Sequence, residues 1–158
     1  MRFTVFVSHS MKRGDKNFIK SIKDQGLLAG CSLYFAEDDH QPGVRLDSKI
    51  ENAIRSSDAF LALVTKHGAL SAYVQQEIGF ARACDKPRFL VVEKGVSAEG
   101  FELGAEHVEF DRKNPQRAFA IIGSRLARLK ADNDLTTLLL VVLLILGAFI
   151  LLCCSKSR

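Results

Sequence analysis

Residues 135–154 read LTTLLLVVLLILGAFILLCC, a run with no charged side chain, and no other stretch limits the chain's folding as strongly. As a helix rising about 1.5 Å per residue, the run measures roughly 30 Å, the thickness of a bilayer's hydrocarbon layer. At roughly −0.3 to −0.6 kcal/mol for each Leu, Ile, Val and Phe, insertion gains on the order of −4 to −8 kcal/mol and outweighs the two threonines and the glycine. A buried helix of a soluble core seldom runs this long without a polar flank. The sequence therefore predicts a transmembrane helix at 135–154, a tail at 155–158, and a lipid bilayer as partner.

The opening residues, MRFTVFVSHSMKRGDK, contain no uninterrupted apolar stretch and no small-residue cleavage site. A membrane segment that leaves the ribosome last inserts after synthesis, so the expectation is a tail-anchored protein with its domain in the cytoplasm. Arg125, Arg128 and Lys130 precede the apolar run, and Lys156 and Arg158 follow it. The first three can meet anionic headgroups or form the solvated face of an amphipathic helix.

Of the net charge of +4, Lys156 and Arg158 supply two, which leaves the rest of the chain near +2. That balance, without any nucleic-acid-reading motif, disfavours DNA and RNA as partners. Cys31, Cys84, Cys153 and Cys154 form no CxxC or Cys/His spacing, so no metal site is expected. Cys31 and Cys84 suit small core positions; Cys153 and Cys154 suit acylation or packing in lipid.

Residues 1–130 alternate strand-like and helix-like segments, with 131–134 as a short linker to the anchor. RFTVFVS is an apolar strand, and the helix after it carries Phe18, Ile19 and Ile22 on one face. CSLYFA is a second strand. Leu46, Ile50, Ala53 and Ile54 make a helical stripe after the turn at Pro42-Gly43, and AFLALVT follows as a buried third strand. A helix over 72–83 comes next, then RFLVVEK and HVEFD as strands four and five. A last helix has Asn114 as its cap and Pro115 at its first position. This alternation predicts an α/β fold, a parallel sheet wrapped by helices on both sides.

The helix over 72–83, AYVQQEIGFARA, holds Glu77 in an unusual place. Val74, Ile78 and Ala81 recur at the spacing of a core-facing stripe, and Glu77 sits about 60° off its centre. Tyr73 shares that flank one turn earlier. A solvated charge beside a half-buried tyrosine and a carboxylate facing a cleft both fit.

Doubly wound sheets bind ligands at the carboxyl ends of their strands. Three loops fall on that edge: SHS at 8–10, EDDHQPG at 37–43, and TKHGALS leading into the helix of Glu77. No GxGxxG or GxxxxGK[ST] is present, so a dinucleotide fingerprint and a P-loop are absent. A phosphoacceptor receiver needs acidic residues where Ser8, His9 and Thr65 stand.

VFVSHS, QPG, LDSKIENAIRSSDAFLALVT and YVQQE, in this order and spacing, resemble the successive boxes of a TIR (Toll/interleukin-1 receptor) domain of the bacterial type over about residues 3–128. The resemblance implies a five-stranded parallel sheet of flavodoxin-like order. It also implies one of two functions: cleavage of the nicotinamide–ribose bond of NAD+, or non-catalytic assembly with other TIR domains as an adaptor. NAD+ enters as substrate, and no cofactor is expected. Catalytic members carry a glutamate on the third helix four residues after a tryptophan; here Glu77 follows Tyr73. Glu77 is thereby the catalytic candidate, and Tyr73, Ser8, His9, Ser10, Phe35 and Gly43 are implied to bind substrate. Pro42-Gly43 equally suits a type II turn, and His9 a turn or cap. The family also implies homo-oligomers on activation, in signalling or defence.

Nicotinamide leaves NAD+ as a neutral ring after starting as a cation. No acid is then needed, and one carboxylate has the main task, holding ribose hydroxyls and stabilising the oxocarbenium-like sugar.

Overall fold

The computed structural model describes residues 3–24, 30–38, 46–67, 71–97 and 105–155. Five parallel strands form one sheet in the order β2-β1-β3-β4-β5: β1 Thr4–Ser8, β2 Ser32–Tyr34, β3 Ala59–Val64, β4 Arg88–Glu93 and β5 Glu106–Phe110. Between them run α1 Arg13–Asp24, α2 Leu46–Ser56 and α3 Ala72–Ala83, and α4 Gln116–Ser155 follows β5. The expected α/β class and the five-stranded parallel sheet are observed. The order reverses at β1, whose register pairs Phe6 with Tyr34 on one side and with Phe60 on the other.

The central strands β1, β3 and β4 are buried on both faces, which is why they read as continuous apolar runs, whereas β2 is half-buried and β5 buries only Val108 and Phe110. All six residues of β3 are buried. Alternate side chains divide between the faces, and Phe60, Ala62 and Val64 join Phe6, Leu90 and Val92 under Ile54 of α2 and Val74, Ile78 and Ala81 of α3. Phe6 and Phe60 stack at 5.7 Å between ring centroids, with their planes 6° apart. Another aromatic group joins α1, β5 and the start of α4: Phe18 stacks on Phe110 at 5.1 Å, and Phe119 is tilted against both.

The helix of Glu77 begins and ends where its sequence predicts, at Ala72 and Ala83. Its end is fixed by Asp85, which adopts a φ of 51°. The Lys86 N–H then reaches back to the Ala81 carbonyl and the Asp85 N–H to that of Arg82, each at 3.0 Å. This paired return closes a helix C-terminus with a left-handed residue, here an aspartate in place of the commoner glycine.

The chain divides into two compact units, Met1–Ser124 and Arg125–Arg158. Two details at the chain's end differ from expectation. Residues 131–134, expected as a linker, lie inside α4, for ADND contains neither glycine nor proline to stop a helix. α4 also begins one residue beyond Pro115, and the turn before it is tied by Asp111, whose carboxylate accepts from the Lys113 N–H at 2.9 Å. Among the described residues no helix is long and apolar enough to cross a membrane, so the anchor expected at 135–154 finds no support there. The reason is local. The first half of α4 carries Arg117, Arg125, Arg128, Lys130, Asp132 and Asp134, charges that a hydrocarbon layer does not accommodate.

Candidate functional site

β1 delivers Ser8, His9 and Ser10 to the carboxyl edge of the sheet in one short step, and all three are buried. The strand alternation turns Ser8 toward α3, where its hydroxyl donates a hydrogen bond to Oε2 of Glu77. This contact joins residues 69 positions apart, and it places the carboxylate above the strand switch between β1 and β3. The core stripe of Val74, Ile78 and Ala81 holds the helix down, as its spacing predicts, and Glu77 projects from the stripe's margin.

Beside Glu77 opens a cavity of about 380 Å³, lined by Ile50, Glu51 and Ile54 of α2 and by Tyr73, Gln76, Glu77 and Phe80 of α3. Its walls are chiefly apolar and its charges are two carboxylates. Ligand pockets are commonly built this way, with an apolar body and a few convergent polar groups. Burial pushes the Glu77 carboxyl above the usual carboxylate range. The Ser8 hydrogen bond and the positive charge of His9 oppose that rise, and the charge of Glu37 adds to it. A carboxylate held this way in a cleft is a candidate for chemistry.

His9 takes a different direction. Its Nε2 lies 2.8 Å from Oε1 of Glu37 and its Nδ1 lies 2.9 Å from the Ser10 carbonyl. Burial would lower its pKa, but these hydrogen bonds and the charges of Glu37 and Glu77 raise it above the usual value. Phe35 is buried and meets the His9 ring edge-on at 6.0 Å, while the Lys23 ammonium stands 3.8 Å over the other ring. Ser10 closes its own turn by accepting the Lys12 N–H at 3.2 Å.

The fold thus brings together Glu77, Ser8, His9 and Phe35, with Ser10 supporting the loop. Tyr73 lines the cavity with Glu77 but stays 72% exposed, a lip and not a buried wall. Gly43 lies outside the described residues. Sequence reasoning missed three partners. Glu37, set by the 3-10 turn Ala36–Asp38, carries no periodic signal, Ile54 reads as part of the apolar stripe of its helix, and Phe80 falls outside the stripe of Val74, Ile78 and Ala81. Among the described residues no cluster of His, Cys, Asp and Glu is arranged to hold a metal ion.

A second polar group sits on the same sheet edge, away from the cavity. Arg112 bridges Asp15 of α1 and Glu93 of β4, and Thr65 after β3 donates to Asp15 at 2.7 Å. Every member is satisfied, which suits a fastening between elements.

Comparison with known proteins adds the lineage. A family model described as TIR domain matches residues 5–120. A search of curated proteins returns no match. Among solved structures, the chain is similar to a CMP N-glycosidase, BcmB, from Clostridium botulinum, with 20% identity over 72% of this chain and 95% of that one, at a TM-score of 0.55. It is similar to a 2-deoxyribosyltransferase from Bacillus psychrosaccharolyticus, with 13% identity over 68% and 85% and a TM-score of 0.53. It is also similar to the TIR domains of the activated Roq1 resistosome, with 16% identity over 85% and 77% and a TM-score of 0.53. At these identities the likeness is one of fold.

Proposed function

The chain belongs to the TIR domain family, and from that premise we propose that it cleaves the nicotinamide–ribose bond of NAD+ at the site built around Glu77. The observation that carries this reading is the placement of one carboxylate, half-buried on α3 and bound by Ser8 of β1, in the wall of a largely apolar cavity between α2 and α3. The nicotinamide of NAD+ is a planar cation, and a cavity with apolar sides and the carboxylates of Glu51 and Glu77 suits that ring. As the bond stretches, positive charge passes to the ribose, and the ionised Glu77 stabilises it. Tyr73 at the lip covers one side of the bound ring. Water attacking the sugar carbon gives ADP-ribose and a proton, whereas attack by a nitrogen of the substrate's own adenine, in place of water, gives a cyclic variant. In either case nicotinamide leaves as the neutral ring without an acid. The chain's fold neighbours include proteins named as an N-glycosidase and a deoxyribosyltransferase, names that denote work at a glycosidic bond.

The proposal includes location and assembly. From Leu138 through Ile145 every side chain of α4 is apolar and exposed, more than two full turns. A helix apolar on all sides is suited to lipid and not to one packed partner. We therefore keep the single-pass anchor at 135–154 in the proposal, with the first unit in the cytoplasm and copies brought together at the membrane in signalling or defence. The test is to reconstitute the full chain at high density on liposomes with NAD+ and to measure nicotinamide. Release that depends on Glu77 supports the enzyme. No release from the folded, clustered protein would favour the non-catalytic adaptor.

A further inference from the structure

His9 is set so that both of its ring nitrogens face acceptors. Nδ1 meets the Ser10 carbonyl oxygen at 2.9 Å, and Nε2 meets a Glu37 carboxylate oxygen at 2.8 Å. A carbonyl has no proton to give, so Nδ1 must carry one. An ionised carboxylate has none either. Burial pushes the Glu37 carboxyl up, but the hydrogen bond and charge of His9 and the charge of Lys23, whose Nζ is 4.0 Å away, hold it below the usual range. Nε2 therefore carries a proton as well. A neutral imidazole has a single N–H and would leave one of these contacts with lone pairs facing each other.

We infer that His9 is an imidazolium set between the carboxylates of Glu37 and Glu77, and that it is a positioning residue whose charge keeps Glu77 in the ionised form. The inference rests on the reading of Glu77 as the carboxylate that meets the sugar. The groups around His9 close the electrostatic account. Glu37 faces it from the 3-10 turn with Lys23 of α1 behind, Glu77 acts on it from α3, and Lys49 of α2 turns its ammonium to the Ala36 carbonyl. Seen from Glu77, the charge of His9 favours the ionised form and the charge of Glu37 opposes it. Removing His9 alone leaves the Glu37 charge uncompensated and drives Glu77 toward its protonated form. Removing both charges offsets much of that change. Glu37 thus confers the charge on His9 and moderates its effect at the same time.

The test uses the full chain in nanodiscs, with 15N-labelled histidine and 13C-labelled glutamate carboxyl groups, titrated by NMR. In the native protein at neutral pH both His9 nitrogens should show protonated shifts. In Glu37→Gln the amide can donate to Nε2, and His9 should become neutral with its proton on Nδ1. In His9→Gln the Glu77 titration midpoint should rise by roughly one pH unit, and adding Glu37→Gln should reverse at least half of that rise. A purely structural, uncharged histidine would not produce the initial rise. A neutral His9 in the native protein, or a Glu77 midpoint that His9→Gln leaves unmoved, would overturn the inference; if His9→Gln fails to fold, the nitrogen shifts of the native protein and Glu37→Gln decide it. These readings need no turnover. Absent nicotinamide release with the stated shifts would count against NAD+ cleavage while supporting the charge on His9, and release with a neutral His9 would do the reverse.

Discussion

Replacing Arg112 by alanine should loosen the sheet's rim by an amount that follows from its contacts. The guanidinium donates to Asp15 Oδ1 at 2.8 Å, to Glu93 Oε2 at 2.9 Å, to Glu93 Oε1 at 3.1 Å and to the Gly14 carbonyl at 3.2 Å. The carboxylates are the deeply placed partners, with side chains 1% and 9% exposed for Asp15 and Glu93 against 32% for Arg112. Alanine would leave Asp15 with the Thr65 hydroxyl and Glu93 with the Lys66 N–H at 3.0 Å. Stranding a fully buried ion costs about 3–5 kcal/mol, whereas an exposed pair is worth ~1 kcal/mol or less. A guanidinium one-third exposed, whose acids each keep a donor, falls between them, at about 2 kcal/mol. At roughly 2–4 °C per kcal/mol for a chain of this size, Tm should fall by about 4–8 °C. The assay is thermal unfolding of the full chain in detergent, followed by near-ultraviolet circular dichroism. Arg112→Lys should recover only part of the loss, since an ammonium cannot bridge two carboxylates as the planar fork does. A Tm within a degree of the native value in Arg112→Ala would refute the reasoning and show the group to be screened by solvent.

Other outcomes follow from the same geometry. Ser8→Ala removes the hydroxyl that favours the charged Glu77; the bond, worth about 1.5 kcal/mol at the low end for a charged partner, corresponds to roughly one pH unit. The acidic limb of NAD+ cleavage should therefore move to higher pH by about that much, read from the pH–rate profile. Glu37 and Glu93 both titrate below the usual carboxylate range in the folded state. Their stabilisation is complete above the unfolded carboxylate pKa, about 4.3, and is lost as pH falls through their lower folded values, so urea midpoints should drop steeply only below about pH 4. Alkaline carbonate extraction should leave the full chain with the membranes; recovery in the supernatant would exclude integral insertion.

How far the site could be read in advance depends on which kind of signal each residue sends. Apolar runs and stripes have a period, so β3, β4 and the whole of α3 could be placed from their own residues, and the margin position of Glu77 came with them. Glu37 sends no such signal. Its role depends on a three-residue turn that brings it back across 28 positions to His9. Arg112 lies in the polar stretch between β5 and α4, where nothing local shows that two buried carboxylates from α1 and β4 meet there. Tyr73 lay on the expected flank of its helix, but the depth of that flank is set by α2, and the ring is left mostly in solvent. Residues 131–134, expected as a short linker, carry no signal of their own conformation, and they continue α4 because every residue there tolerates a helix.

The account depends most on a carboxylate at position 77 that meets the sugar as it becomes positive. Single-turnover release of nicotinamide from NAD+, measured with the full chain on liposomes, compares it directly with Glu77→Gln, which keeps the shape and removes the charge. The account predicts a rate lower by about 100-fold or more with NAD+ still bound. Equal rates in the two proteins would contradict it.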